Sequence, residues 1–333
     1  MLETLSKPLV PDERSARSPA LLWKRYALCS AMLSVLLAID LVWLHVGGYS
    51  VQESSLVTAA KTIGMLLGVA AGLAGFAKIP RYRLATQKFR YPEAARMLVW
   101  LVLLLCFMAV AGVLSYLCVT VNAPVIDASL IRFDQALGFD WLGVYRWTRE
   151  HAAVQRVLSF AYDSGGWQLI GIPAILGLLG RDEALADFVM LLILSSILLL
   201  LVSTPFPATS AYVHFNVADP KLLATVSDFE RLRNGTLRQF DLTKIQGLVS
   251  FPSFHTALGV FFVYSVRRVR VLFPIIAALD VAMVISTPTQ GGHYLVDVFG
   301  GLILAFATVQ ILARMPGTRT VERTRSGANA AAG

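Results

Sequence analysis

Two short stretches of this chain carry side chains with an evident chemical use, Ser250-Phe251-Pro252-Ser253-Phe254-His255 and Gly291-Gly292-His293-Tyr294-Leu295-Val296-Asp297. Residues four apart on a helix share a face, so Asp297 can hold one ring nitrogen of His293 and leave the other free to attack. That pattern suits phosphoryl transfer, which needs a nucleophile, an acid for the leaving oxygen and donors for the phosphoryl oxygens. His293 is the candidate nucleophile. Asp297 orients it and steadies the imidazolium, as the carboxylate of a serine hydrolase triad does. His255 is placed to protonate the leaving alkoxide and later to activate the acceptor. Ser253 and the backbone N–H groups beside it are candidate phosphoryl contacts, because a helix N-terminus favours anions and tolerates Pro252. The alternative for Ser253 is a helix N-cap. Glycine and serine at the motif edges allow close backbone approach to a ligand. No cluster has metal-ligand spacing, so neither a metal nor a cofactor is expected.

These motifs sit at the mouths of long apolar runs. The 333 residues are 56% hydrophobic and 15% charged, against roughly 25% charged in a soluble domain, and mean hydropathy is +0.65. The class expected is all-α: a polytopic membrane bundle of about eight transmembrane helices. Candidate spans are about 26–47, 55–77, 97–121, 166–180, 184–204, 253–267, 271–288 and 293–313. The run 166–180 is short and could begin earlier, near Val157. The expected organisation is a disordered cytoplasmic tail over 1–23, N-terminal spans over 24–121, a catalytic membrane core over 122–314 and a second tail over 315–333. The first span reads as a signal anchor.

Charge orients the bundle. Nineteen lysines and arginines fall on one side of this map and nine in the longer loops opposite. Both termini are then cytoplasmic, and both histidine motifs emerge together on the other face. The net charge of +8 flanks the spans and forms no single patch, which argues for a bilayer as partner and against nucleic acid. Cys29, Cys106 and Cys118 all lie within spans, where they form no disulfide framework. Asp40 and Lys61 also lie within spans and are expected to pair across helices. The outer loop 122–165, with Trp141, Tyr145 and Trp147 among charges, suits helices in the headgroup layer. The outer loop 206–249 is placed to cap the site or bind a headgroup.

The two motifs resemble the second and third motifs of the type 2 phosphatidic acid phosphatase superfamily, which also includes vanadium haloperoxidases. The resemblance implies a helical core, a phosphohistidine intermediate on His293, Asp297 as its partner and His255 as the acid. It is specific over the last 90 residues, looser from about 130, and does not obviously cover the first three spans. Three departures stand out. Phe254 replaces the usual glycine, Thr287 occupies the place of an arginine six residues before the histidine, and Ser203-Thr204-Pro205-Phe206-Pro207-Ala208 lacks the lysine and Arg-Pro of the first motif. These changes are similar to the branch that includes inositol phosphorylceramide synthases. The phosphate-binding cations must then come from elsewhere, with Arg233, Arg238 and Lys244 of the outer loop as candidates. The function expected is a lipid-phosphate phosphatase or phospho-headgroup transferase acting on a lipid phosphate or phospholipid. The alternatives are a transporter or channel with a His/Asp proton relay, and a non-catalytic relative that binds lipid or a partner. Oligomeric state leaves no mark on the sequence.

Overall fold

The computed structural model describes residues 19–217 and 226–315. Helices α1 (Pro19–Gly47), α2 (Glu53–Ala77) and α4 (Tyr91–Val119) come first, with short α3 (Arg83–Lys88) in the basic turn before α4. Short helices α5 (Asp127–Ala136) and α6 (Trp141–Glu150) follow, then long α7 (Ala152–Leu178) and α8 (Asp182–Ser203). A loop with short α9 (Ala211–His214) and α10 (Asp228–Arg233) leads to α11 (Phe254–Val266), α12 (Leu272–Gln290) and α13 (Leu295–Arg314). Two-residue strands β1 (Ser50–Val51) and β2 (Gln239–Phe240) pair in parallel, tying the turn after α1 to the loop after α10. The architecture is the expected all-α membrane bundle.

Six of these helices, α1 from Leu22, α2, α4, α8, α12 and α13, are long and apolar enough to cross a membrane. The remaining two of the eight expected spans come out differently. The run 166–180 belongs to α7, which begins at Ala152 and carries Gln155, Arg156, Asp163 and Gln168 along its 27 residues. The run 253–267 forms only the 13 residues of α11, about 20 Å of helix against a hydrocarbon core of about 30 Å. Its start is fixed by Ser253, which caps it, and by the non-helical motif segment that precedes the cap. Helix α1 begins within the segment expected as a tail; residues 1–18 and 316–333, the rest of both expected tails, lie outside the described residues.

Helix α8 runs through the centre. Leu185, Phe188, Val189, Leu191 and Ile193 are fully buried, and α1, α4, α7, α11 and α13 pack around them. A helix apolar on every side must be buried or face lipid, and α2 is the contrasting case. It packs mainly on α4 and leaves Met65, Val69 and Phe76 exposed. Arg25 Nη1 meets Asp187 Oδ1 at 2.5 Å and Arg96 Nε meets Asp182 Oδ2 at 3.1 Å, stapling α1 and α4 to the start of α8. The expected Asp40–Lys61 pair does not form. Asp40 is buried with Oδ1 unpartnered, whereas Lys61 lies on the exposed surface of α2. Along α11, His255 stands about 18 Å from Arg267, and along α13 Asp297 stands about 25 Å from Arg314. Both motifs therefore lie at the end of the bundle away from these arginines.

Candidate active site

His293 is not on a helix. It lies in the turn between α12 and α13, and Tyr294 is the N-cap of α13. Asp297, the third residue of that helix, turns back toward the cap. Its Oδ2 accepts from the Tyr294 N–H (2.9 Å) and from Ser250 Oγ (2.9 Å), and lies 3.4 Å from His293 Nδ1. The same Nδ1 is 3.0 Å from the Ser250 carbonyl oxygen. A carbonyl oxygen can only accept, so Nδ1 must carry the proton and Nε2 keeps its lone pair. Ser250 thus brackets the pair, its hydroxyl on the carboxylate and its carbonyl on the imidazole. Asp297 is fully buried, with Oδ1 unpartnered, and His293 is 5% exposed.

The structure brings the second histidine to the first. His255 lies in the first turn of α11, and its ring centroid is 6.5 Å from that of His293, with the planes tilted by 58°. Tyr162 of α7 stacks on His255 at 4.4 Å, its hydroxyl 3.4 Å from His255 Nδ1. Ser253 is fully buried as the N-cap of α11. Its Oγ accepts from the Thr256 N–H (3.4 Å) and the Thr256 hydroxyl (3.1 Å), while its own N–H donates to the Asp297 carbonyl (2.9 Å). The two acceptances tie the hydroxyl's lone pairs to the helix start and leave its O–H as the donor, and the backbone joins the two motifs. Gly301 permits this approach, since a Cβ there would run into the Ser253 carbonyl.

The turn holding His293 is fixed from the outer layer. Trp141 Nε1 donates to the carbonyls of His293 (3.0 Å) and Pro288 (3.2 Å). The Gly292 carbonyl accepts from the Ala211 N–H (2.8 Å) and Ser210 Oγ (3.0 Å). Asp134 of α5 takes the first two N–H groups of α13, Leu295 on Oδ2 and Val296 on Oδ1 (2.9 and 3.0 Å). Burial holds the Asp134 carboxyl above its usual range, and these two amides offset only part of that rise. One turn pair earlier on α5, Asp127 accepts from the hydroxyls of Tyr294 (2.9 Å) and Thr209 (2.8 Å). The N-terminus of α13 is thereby filled by protein. Gly292 has φ +65°, and a Cβ there would lie 2.5 Å from the Tyr212 ring. Gly292→Ala is expected to lower stability by about 1–3 kcal/mol and to cut turnover through the displaced His293, read by thermal unfolding and by kcat.

The three candidate cations are held elsewhere. Arg233 donates to the Ala123 carbonyl (2.8 Å) and covers the Phe229 ring. Arg238 donates to the carbonyls of Gly235 and Gly47 and lies over Tyr49. Lys244 pairs with Asp241 at 3.4 Å. None of these contacts touches either histidine motif. Thr287, at the place of the arginine, is fully buried and uses its carbonyl to accept from the N–H groups of Gly291 (2.9 Å) and His293 (3.4 Å). It shapes the turn and supplies no charge. Asp163 is exposed on α7, where Ser159 donates to it at 3.4 Å. Sequence reasoning missed Tyr162, Trp141, Asp127 and Asp134. A signal existed only for the last two, carboxylates seven residues apart on one face of α5.

A family model described as the PAP2 superfamily matches residues 128–311, more than half of the chain. The matched stretch runs from the first turn of α5 nearly to the end of α13 and leaves α1 to α4 outside. No curated protein and no solved structure matches the chain. With both histidine motifs inside the matched stretch and meeting at one end of a membrane bundle, the chain belongs to the PAP2 superfamily.

Proposed function

We propose that this protein is an integral-membrane phosphotransferase that takes a phosphoryl or phospho-headgroup from a lipid onto His293 and passes it to an alcohol or to water. Superfamily membership suggests phosphatase or phosphotransferase activity on lipid phosphates. The observation that carries the finer reading is the clamp on His293 Nδ1 by two acceptors, Ser250 O and Asp297 Oδ2. It leaves the Nε2 lone pair to attack phosphorus. As the P–O bond to the leaving group breaks, His255 gives that oxygen a proton. His255 acts as the imidazolium: its Nδ1–H faces the Tyr162 hydroxyl oxygen at 3.4 Å, its Nε2–H is the proton delivered, and the ring is left neutral with a lone pair on Nε2. In the second half, His255 takes the proton of the acceptor hydroxyl, the acceptor oxygen bonds to phosphorus, and the P–N bond returns its electron pair to Nε2. The first-turn amides and dipole of α11 supply positive potential for the phosphoryl oxygens.

Two features favour transfer over hydrolysis. Phe254 and Thr287 are departures similar to those of the branch that includes inositol phosphorylceramide synthases, and the site sits among apolar helices where an alcohol-bearing lipid can compete with water. The basic flanks of the spans support a site facing the non-cytoplasmic leaflet. The test is chemical trapping. Purified protein given a lipid substrate labelled in its phosphate should form a phosphoenzyme that survives alkali and is lost in acid, and a lipid alcohol should discharge it faster than water does. Label that resists acid, or turnover with no labelled protein at any quench time, would overturn the covalent mechanism.

A further inference from the structure

Helices α7 and α12 are joined by a buried polar contact that the proposed reaction does not use. Gln168 of α7 donates through Nε2 to Asp280 Oδ1 of α12 (2.8 Å) and to Ser164 Oγ (3.1 Å), and Ser164 spends its own hydrogen on the Ala161 carbonyl (2.6 Å). Both neighbours of that nitrogen accept, which fixes the amide's orientation and puts Gln168 Oε1 on the other side. That oxygen has no donor, and neither has Asp280 Oδ2. Asp280 is 2% exposed and Gln168 6%. Asp280 stands about 12 Å along α12 from Leu272 and about 15 Å from Gln290, in the middle of the span. Helices α11 and α12 carry no lysine or arginine, and α7 carries only Arg156, about 18 Å along the helix from Gln168. The other titratable groups of the three helices are His255, Tyr264, Tyr162 and Asp163.

We propose that Asp280 carries a proton and forms with Gln168 a neutral acid–amide pair, which holds α7 against α12 and positions Tyr162 on His255. A carboxylate here would be a buried charge with one donor and no cation, at the depth where charge costs most. It would also leave two buried acceptor oxygens unsatisfied. One proton removes both faults. On Oδ2 it discharges the acid and makes it a donor, and the oxygen of the same amide is the acceptor that lacks one. A metal ion fits less well, since a hard cation takes six or more oxygens and the pair offers two. The pair lies close beneath the proposed acid. A Cβ at Gly259, one turn along α11 from His255, would lie 3.5 Å from Asp280 Cβ, and one at Gly165 would lie 3.7 Å from His255 Cδ2 and 3.1 Å from Met283 Sδ. Helices α7, α11 and α12 are therefore in close contact at this level, and the spacing of α7 from α12 sets how Tyr162 stacks on His255. The effect on turnover rests on His255 being the acid; the protonation of Asp280 does not.

The test uses the full chain in nanodiscs at neutral pH. The infrared difference spectrum of wild type minus Asp280→Asn should show the carbonyl stretch of a protonated carboxylic acid, shifting in D₂O. A carboxylate stretch in its place would overturn the proposal. So would a wild type stabilised saturably by sodium over N-methylglucamine with the effect lost in Asp280→Asn, which would make the occupant a metal ion. Asparagine keeps one acceptor and one donor toward the amide, so Asp280→Asn should retain the unfolding temperature, and turnover within about twofold. Asp280→Leu strips the Gln168 amide of its partner and should unfold several degrees lower. Its turnover should fall about tenfold with an alkyl leaving group and clearly less with a phenol, which needs no acid; a plain packing defect would lower both alike. Equal losses in Asp280→Leu, where His255→Asn separates the two leaving groups, would overturn the positioning role. Equal losses in both variants would overturn the acid reading instead, and the infrared result then decides Asp280 alone.

Discussion

Replacing His293 by alanine is expected to lower turnover by roughly 10⁴-fold or more and to abolish the phosphoenzyme, with the fold intact. On the proposed mechanism the imidazole gives its Nε2 to the reaction, while only Nδ1 is bonded in the structure, to Ser250 O and Asp297 Oδ2, so truncation removes chemistry and leaves most of the packing. His255→Asn should behave differently, and the contrast is the stronger test. If His255 serves as the acid, an alkyl leaving group suffers by roughly 10² to 10⁴. A substrate with an acidic phenol as leaving group needs no proton and should lose far less in its first step. The phosphoenzyme should then accumulate, because the same residue is needed to activate the acceptor. Equal losses for the two leaving groups in His255→Asn would remove it from the acid role. A phosphoenzyme that still forms in His293→Ala would remove the nucleophile.

The contact between His293 and Asp297 was legible because it is short-range and sits beside a helix start. His293 and Asp297 are four residues apart, and that spacing survives even though the geometry is a cap and not a helix face. Gly292 at φ +65° and the Tyr294 cap break the helix where periodicity would extend it. What surrounds the pair was not legible. Trp141 reaches His293 across 152 residues and Asp134 reaches Leu295 across 161, and no local pattern records such partnerships. Nearness in sequence also misled. Arg233, Arg238 and Lys244 precede the first motif closely, yet β2 pairs with β1 and draws that loop to the turn after α1. The apolar run 253–267 has the composition of a span, but its helix is only 13 residues long, beginning at Phe254 behind the Ser253 cap.

Asp297→Asn tests how the imidazole is held, and two acceptors on one nitrogen make its outcome informative. Three donors converge on Asp297 Oδ2: the Tyr294 N–H, the Ser250 hydroxyl and His293 Nδ1. An asparagine with its oxygen at the Oδ2 place keeps these acceptances without the charge and puts its NH₂ at the unpartnered Oδ1 place, whereas one flipped the other way turns its NH₂ on all three donors. Facing His293, that NH₂ would compete for the Nδ1 lone pair and drive the proton to Nε2, the atom that must attack. The loss of a carboxylate behind a catalytic imidazole costs about 10⁴ in a serine protease through this change of tautomer. Here the Ser250 carbonyl still requires a proton on Nδ1, so a smaller loss in kcat is expected, roughly 10² to 10³. Stability should fall by about 1–3 kcal/mol as the buried bonds are remade. Ser250→Ala removes the hydroxyl and leaves the carbonyl in place, so alone it should cost about tenfold. In the Asp297→Asn background the hydroxyl meets at most a neutral amide oxygen, and the same substitution should cost clearly less. The double-mutant cycle therefore carries the prediction: strong coupling in kcat between positions 250 and 297. Additive losses would mean that Ser250 and Asp297 act separately on the reaction, and the clamp on His293 would then have to be abandoned as the source of its nucleophilicity.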